Sequence, residues 1–95
     1  PSSGGIAIAQ ILTLLEPFDL GRMSDGRMPP EGVHLILEAE KLAYADRGRF
    51  LADPAFVSIP AGLTDPAYLA DRRKLINPAK SMPPPPPGLP PGVAK

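Results

Sequence analysis

The sequence predicts a helical segment of three helices followed by a stiff, extended tail. Two observations carry that expectation. Apolar residues recur at helical spacing in three stretches, each bounded by a capping residue or a proline. The 15 prolines of the 95 residues crowd the C-terminal end, where SMPPPPPGLPPGVAK can form neither a helix nor a ladder and should be polyproline II or disordered.

The first helix is expected from Gly5 to Glu16. Ile8, Ile11, Leu12 and Leu15 fall at i, i+3, i+4 and i+7, and Ile6, Ala7, Ala9 and Leu14 widen that stripe, so the helix should be buried on most sides. Ser2 or Ser3 can accept from the free N–H groups of its first turn, and Pro17 ends it. FDLGRMSDGRMPP then reads as a surface loop.

The second helix, Glu31 to Leu51, has Leu35, Ala39, Leu42 and Ala43 as its apolar face, extended by Ile36 and Phe50. Glu38, Lys41, Arg47 and Arg49 suit polar surroundings. Asp46 lies four residues after Leu42, close to the apolar stripe, and wants a cation that Arg49 at i+3 can supply. Asp53-Pro54 stops the helix, and Ala55–Gly62 reads as an extended connector because Pro60 interrupts it. Thr64-Asp65-Pro66 starts a third helix running to about Ile76, which should bury Leu69, Leu75 and Ile76. Arg72, Arg73 and Lys74 suit the negative end of its dipole.

Composition excludes several functions. Ten basic against ten acidic residues argue against a nucleic-acid or anionic-membrane partner found through bulk charge. Without cysteine there is no disulfide, thiol nucleophile or zinc knuckle. No apolar run approaches the roughly 20 residues of a membrane span. Beginning at Pro1 without Met, the chain reads as a piece of something longer.

Little in the pattern points to chemistry. The serines of PSSGG lack both the G-x-S-x-G elbow and the phosphate-loop lysine, which leaves helix capping, with Gly4 and Gly5 permitting a sharp turn or close approach. His34, the single histidine, has no evident triad partner. Glu38 and Glu40 point to different sides of a helix and do not converge as an acid–base pair, so a solvated face paired to Lys41 and Arg47 is expected instead. PPPPPGLPP is either a spacer or a ligand for an aromatic-lined groove.

Three blocks in register add a resemblance. PSSGGIAIAQILTLLEPFDL, HLILEAEKLAYADRGRFLADPAFVSIP and GLTDPAYLADRRKLI, covering residues 1 to about 77, resemble the gamma-glutamyltranspeptidases (glutathione hydrolases) and their relatives, the cephalosporin acylases. The helix ending AYADRGRFLADPAFV is the most specific part. The five-proline run departs from the family's pattern.

The resemblance implies a helical fragment of an α+β, four-layer (αββα) N-terminal nucleophile hydrolase. Its precursor cuts itself into a large and a small subunit. Residues 1–77 would be a helical segment of the large subunit, and residues 78–95 the proline-rich linker preceding the self-cleavage site. The threonine nucleophile, at the start of the small subunit, and the substrate-gripping arginine lie elsewhere. Thr13 in mid-helix and Thr64 at a cap lack the free amine such a threonine uses.

No catalytic, substrate-binding or metal-binding residue therefore carries over, and no cofactor is implied. What carries over is scaffold: Ser2, Ser3, Gly4 and Gly5 at a helix start, and Asp46, Arg47 and Arg49 as structural ion-pair candidates. The implied partners are the rest of the large subunit, the small subunit and a γ-glutamyl substrate, in a periplasmic or extracellular setting. Two alternatives stay open: a cephalosporin or glutaryl acylase on the same scaffold, and a non-catalytic helical module presenting a proline-rich ligand.

Overall fold

The computed structural model describes residues 3–21, 25–50 and 61–91. Its elements are α1 (Ser3–Leu15), α2 (Pro30–Phe50), a 3-10 turn (Ala61–Thr64) and α3 (Pro66–Arg73), and among the described residues no strand is formed. Ser2, the expected Asp53-Pro54 helix stop and the connector from Ala55 to Pro60 lie outside the described residues, as do the side chains of Ser3 and Phe50.

Helix α1 packs on both α2 and α3, and the core between them is Leu14, Leu15, Leu35, Ala39, Leu42, Tyr68, Leu69 and Ile76. The face that α1 buries differs from the expected stripe. Ala7, Gln10, Leu14 and Leu15 are buried, whereas Ile8 is 59% and Leu12 65% exposed. A helix that is apolar nearly all round offers no periodic signal for its inner face. The polar Gln10 goes inward because its amide has partners there, donating to the Leu63 carbonyl at 2.9 Å. Arg73 of α3 closes the C-terminal end of α1, donating to the carbonyls of Thr13 (2.5 Å) and Leu14 (2.8 Å), two of the acceptors that a helix end leaves without intrahelical donors.

Helix α2 follows a turn in which Gly21 takes a positive φ of 74°. Gly32 in its first turn lies so close to the Leu20 carbonyl that a Cβ would collide with it. Helix α3 is capped by Asp65, whose carboxylate accepts from the Tyr68 N–H at 2.9 Å, with Pro66 next to it. Thr64 thus belongs to the preceding 3-10 turn, and the capping oxygen comes from the aspartate. The helix ends at Arg73, short of Ile76; Ile76 is buried and Leu75 is exposed.

After a tight turn at Asn77–Lys80, where the Asn77 side chain accepts from the Ala79 N–H at 2.9 Å, the chain runs on without regular structure to residue 91. This stretch returns along α2 and α3, touching both by hydrogen bonds.

Candidate functional site

The most built-up polar feature is a cluster around Asp46, on the inner face of α2. Asp46 is 2% exposed and receives groups from every neighbouring element. Gln10 Nε2 of α1 donates to Oδ2 at 3.1 Å, and the Tyr68 hydroxyl of α3 donates to the same oxygen at 2.6 Å. The Gly88 N–H donates to Oδ1 at 2.8 Å, and Arg72 Nη2 stands 3.5 Å from that oxygen. Arg72 also donates to the Pro86 carbonyl at 3.0 Å, while its buried Nε has no acceptor among the described residues.

Three donors and a guanidinium around one buried carboxylate leave its oxygens satisfied, as burial of a polar group demands. The Tyr68 phenol is pushed well above its ordinary range, first by burial, then by its hydrogen bond to Asp46 and that group's negative charge, with Arg72 opposing. It stays a proton donor at neutral pH and cannot serve there as a base.

The expected neighbour of Asp46 was Arg49, one turn along its own helix. The guanidinium that meets the carboxylate is that of Arg72, from α3. Arg49 and Arg47 are exposed, and the Arg47 guanidinium lies 6.0 Å from the centre of the Tyr44 ring. Periodicity and spacing do not single out Gln10, Tyr68 or Arg72 as members of this cluster. A glutamine inside an otherwise apolar helix, and a Tyr–Arg pair at i, i+4 on a short one, are the signals that could have found them.

Two turns earlier on α2, Glu38 corrects the expectation of a solvated acid: it is 1% exposed. Lys41 Nζ lies 2.7 Å from one carboxylate oxygen, and the Met82 N–H donates to the other at 2.7 Å. Lys41 also donates to the Met82 carbonyl at 2.9 Å. Burial alone would raise the Glu38 carboxyl, but the hydrogen bonds from Lys41 and Met82, and the charges of Lys41 and His34, outweigh it and hold the group below its ordinary value.

A group lowered in this way stabilises the fold above its unfolded pKa, and the contribution is lost as pH falls through the folded pKa. Protection of the Met82 amide from exchange should therefore stay level from about pH 6 to about pH 4.3, the ordinary glutamate value, and decline below that. Protection still intact at about pH 3 would contradict the assignment.

Among the described residues the sequence candidates form no nucleophile–base pair. His34 is half-buried and its Nε2 donates to the Asn77 carbonyl at 2.8 Å. Thr13 lies within α1 and Thr64 in the 3-10 turn, exposed. Ser3 opens α1. Among the described residues no group of acids and histidines could hold a metal ion, and no helix is long and apolar enough to cross a membrane.

Comparison with known proteins supplies what the site alone does not. Residues 1–92 match the family described as gamma-glutamyltranspeptidase. The chain belongs to the gamma-glutamyltranspeptidase family.

Among relatives within and around this family, the chain is 51% identical over 77 residues to an acylase ACY 1 proenzyme of Pseudomonas sp. (strain V22), a match covering 80% of the chain and 13% of that protein. It is 49% identical over 69 residues to the glutathione hydrolase proenzyme of Escherichia coli (strain K12), covering 72% of the chain and 12% of that protein. The crystal structure of Helicobacter pylori gamma-glutamyltranspeptidase superposes with a TM-score of 0.72 at 37% identity, covering 87% of this chain and 24% of that one. The chain thus spans about an eighth of the length of the curated relatives it matches, and its three helices are a helical fragment similar to part of a gamma-glutamyltranspeptidase.

Proposed function

We propose that the chain is a scaffold part of a gamma-glutamyltranspeptidase-like enzyme, one that transfers or hydrolyses γ-glutamyl groups of glutathione and related amides through a threonine acyl-enzyme. The family match over residues 1–92 carries this reading. In it, residues 1–77 belong to the large subunit of a four-layer αββα enzyme, with Ser2, Ser3, Gly4 and Gly5, and the Asp46, Arg47 and Arg49 stretch of α2, as structural residues. Residues 78–95 are the linker before the self-cleavage site. The threonine and the oxyanion donors come from the small subunit, and the setting is periplasmic or extracellular.

The geometry supports a scaffold role, because the carboxylates of Asp46 and Glu38 and the Tyr68 hydroxyl are engaged by neighbouring side chains and backbone. The exposed apolar residues of α2, Val33, Leu37 and Tyr44, recur at helical spacing and suit a face that the rest of such an enzyme covers.

An acylase is the second reading, favoured by the 51% identity to the Pseudomonas acylase proenzyme. The intact protein is expected to release the chromophore from a γ-glutamyl anilide, and the 95-residue chain alone to release none. Turnover of a glutaryl amide but not of the γ-glutamyl anilide would overturn the first reading in favour of the second. Turnover by the isolated chain would sink the scaffold role.

A further inference from the structure

The proline-rich stretch needs an account, because a segment with five consecutive prolines has almost no backbone donors to hold it. From Met82 to Pro91 only Met82, Gly88 and Leu89 carry an N–H. Two of those three are bound by buried carboxylates of the same helix: Met82 by Glu38 at 2.7 Å and Gly88 by Asp46 at 2.8 Å. Glu38 and Asp46 are eight residues apart on α2, about 12 Å along its axis and on one side of it.

Cations beside those acids grip the carbonyls. Lys41 donates to Met82 O at 2.9 Å and Arg72 to Pro86 O at 3.0 Å. The far end is seated too: Pro90 is fully buried, and Gly62 comes so near the Pro91 backbone that a Cβ there would lie 2.6 Å from its carbonyl oxygen. At Gly88 a Cβ would collide with the Tyr68 hydroxyl.

We infer that the face shared by α2 and α3 is a docking groove for an extended proline-rich peptide, occupied in cis by residues 82–91, and that it recognises the strand by its sparse amide hydrogens. Each end of the proline run meets an acid–base pair, Glu38 with Lys41 and Asp46 with Arg72. The acid takes the N–H and the base takes a carbonyl. An ionised acceptor makes a stronger bond than a neutral one, so two such bonds hold a segment that a β-ladder cannot. The groove's specificity is for a donor, five donorless residues, and a glycine donor with no side chain. Leu89, by contrast, is exposed and contributes little to the fit. The segment is thus engaged by its own chain, and an aromatic-grooved partner would have to displace it.

The test is amide exchange on 15N-labelled intact protein, with the free peptide of residues 80–91 as reference. The Met82 and Gly88 amides should exchange at least tenfold more slowly than in the free peptide. Exchange within threefold of it overturns the proposal. Met82→Pro deletes one donor and alters no residue of the helices. It should speed exchange at Gly88 at least threefold while the Ala39 and Leu42 amides stay unchanged, and an unaffected Gly88 would overturn the idea of one strap held at two points. A synthetic peptide of residues 81–91 should bind the Met82→Pro variant at least tenfold better than the unaltered protein. The same peptide N-methylated at Met82 and Gly88 should not bind, and equal binding by the methylated form would also overturn the proposal.

Discussion

Replacing Asp46 with leucine is expected to accelerate amide exchange across α2 by about two to nearly four orders of magnitude. That corresponds to the ~3–5 kcal/mol lost when one partner of a buried ion pair is removed. The size follows from what is left behind: a guanidinium at Arg72, a phenol at Tyr68, an amide at Gln10 and a backbone N–H at Gly88, all deprived of one acceptor. Asp46→Leu combined with Arg72→Met should recover at least tenfold, because the stranded charge is then gone. Asp46→Asn should fall between, since it keeps an acceptor but not the charge. An Asp46→Leu protein whose α2 amides exchange within threefold of the original would refute the assignment of Asp46 as the structural centre.

Leu42→Ala should be nearly as damaging, for a different reason. Leu42 is buried within the common core of all three helices, and deleting its side chain removes transfer free energy and leaves a cavity, together about 2–5 kcal/mol. The informative control is Leu37→Ala on the opposite side of α2, at a residue exposed in this chain. If the rest of a larger enzyme lies on that face, Leu37→Ala in the intact protein should cost about 1–3 kcal/mol. If the face is open, it should cost less than about 0.5 kcal/mol. Denaturant midpoints of the two variants in the intact protein separate the cases.

These residues also mark what a reader of the sequence can and cannot see. The start of helix α2 is legible to within a residue, because its apolar face alternates with charge and a proline and an acid open it; the expected Asp53-Pro54 stop lies outside the described residues. The third helix start was legible for the same local reason, although the cap is Asp65 and not Thr64. The inner face of α1 was not, since its apolar residues surround the axis. Asp46 announced itself by sitting beside an apolar stripe, yet its cation comes from another helix, and spacing along one helix says nothing about that. Spacing along α2 alone puts Glu38 in solvent, because the element that covers it is the proline-rich stretch. That contact spans 44 positions and follows no period. Local signals fix elements, whereas long-range partners decide which charges go inside.

One consequence concerns the five prolines at positions 83–87. Each ring fixes φ, so the free segment already samples few shapes. Ordering an ordinary residue costs about 1–2 kcal/mol of backbone entropy, and a pre-stiffened rod surrenders much less on coming to rest. Rigidity therefore adds to the two carboxylates in keeping it there, and a softer sequence of the same length, with each polar contact intact, would spend more of its time away.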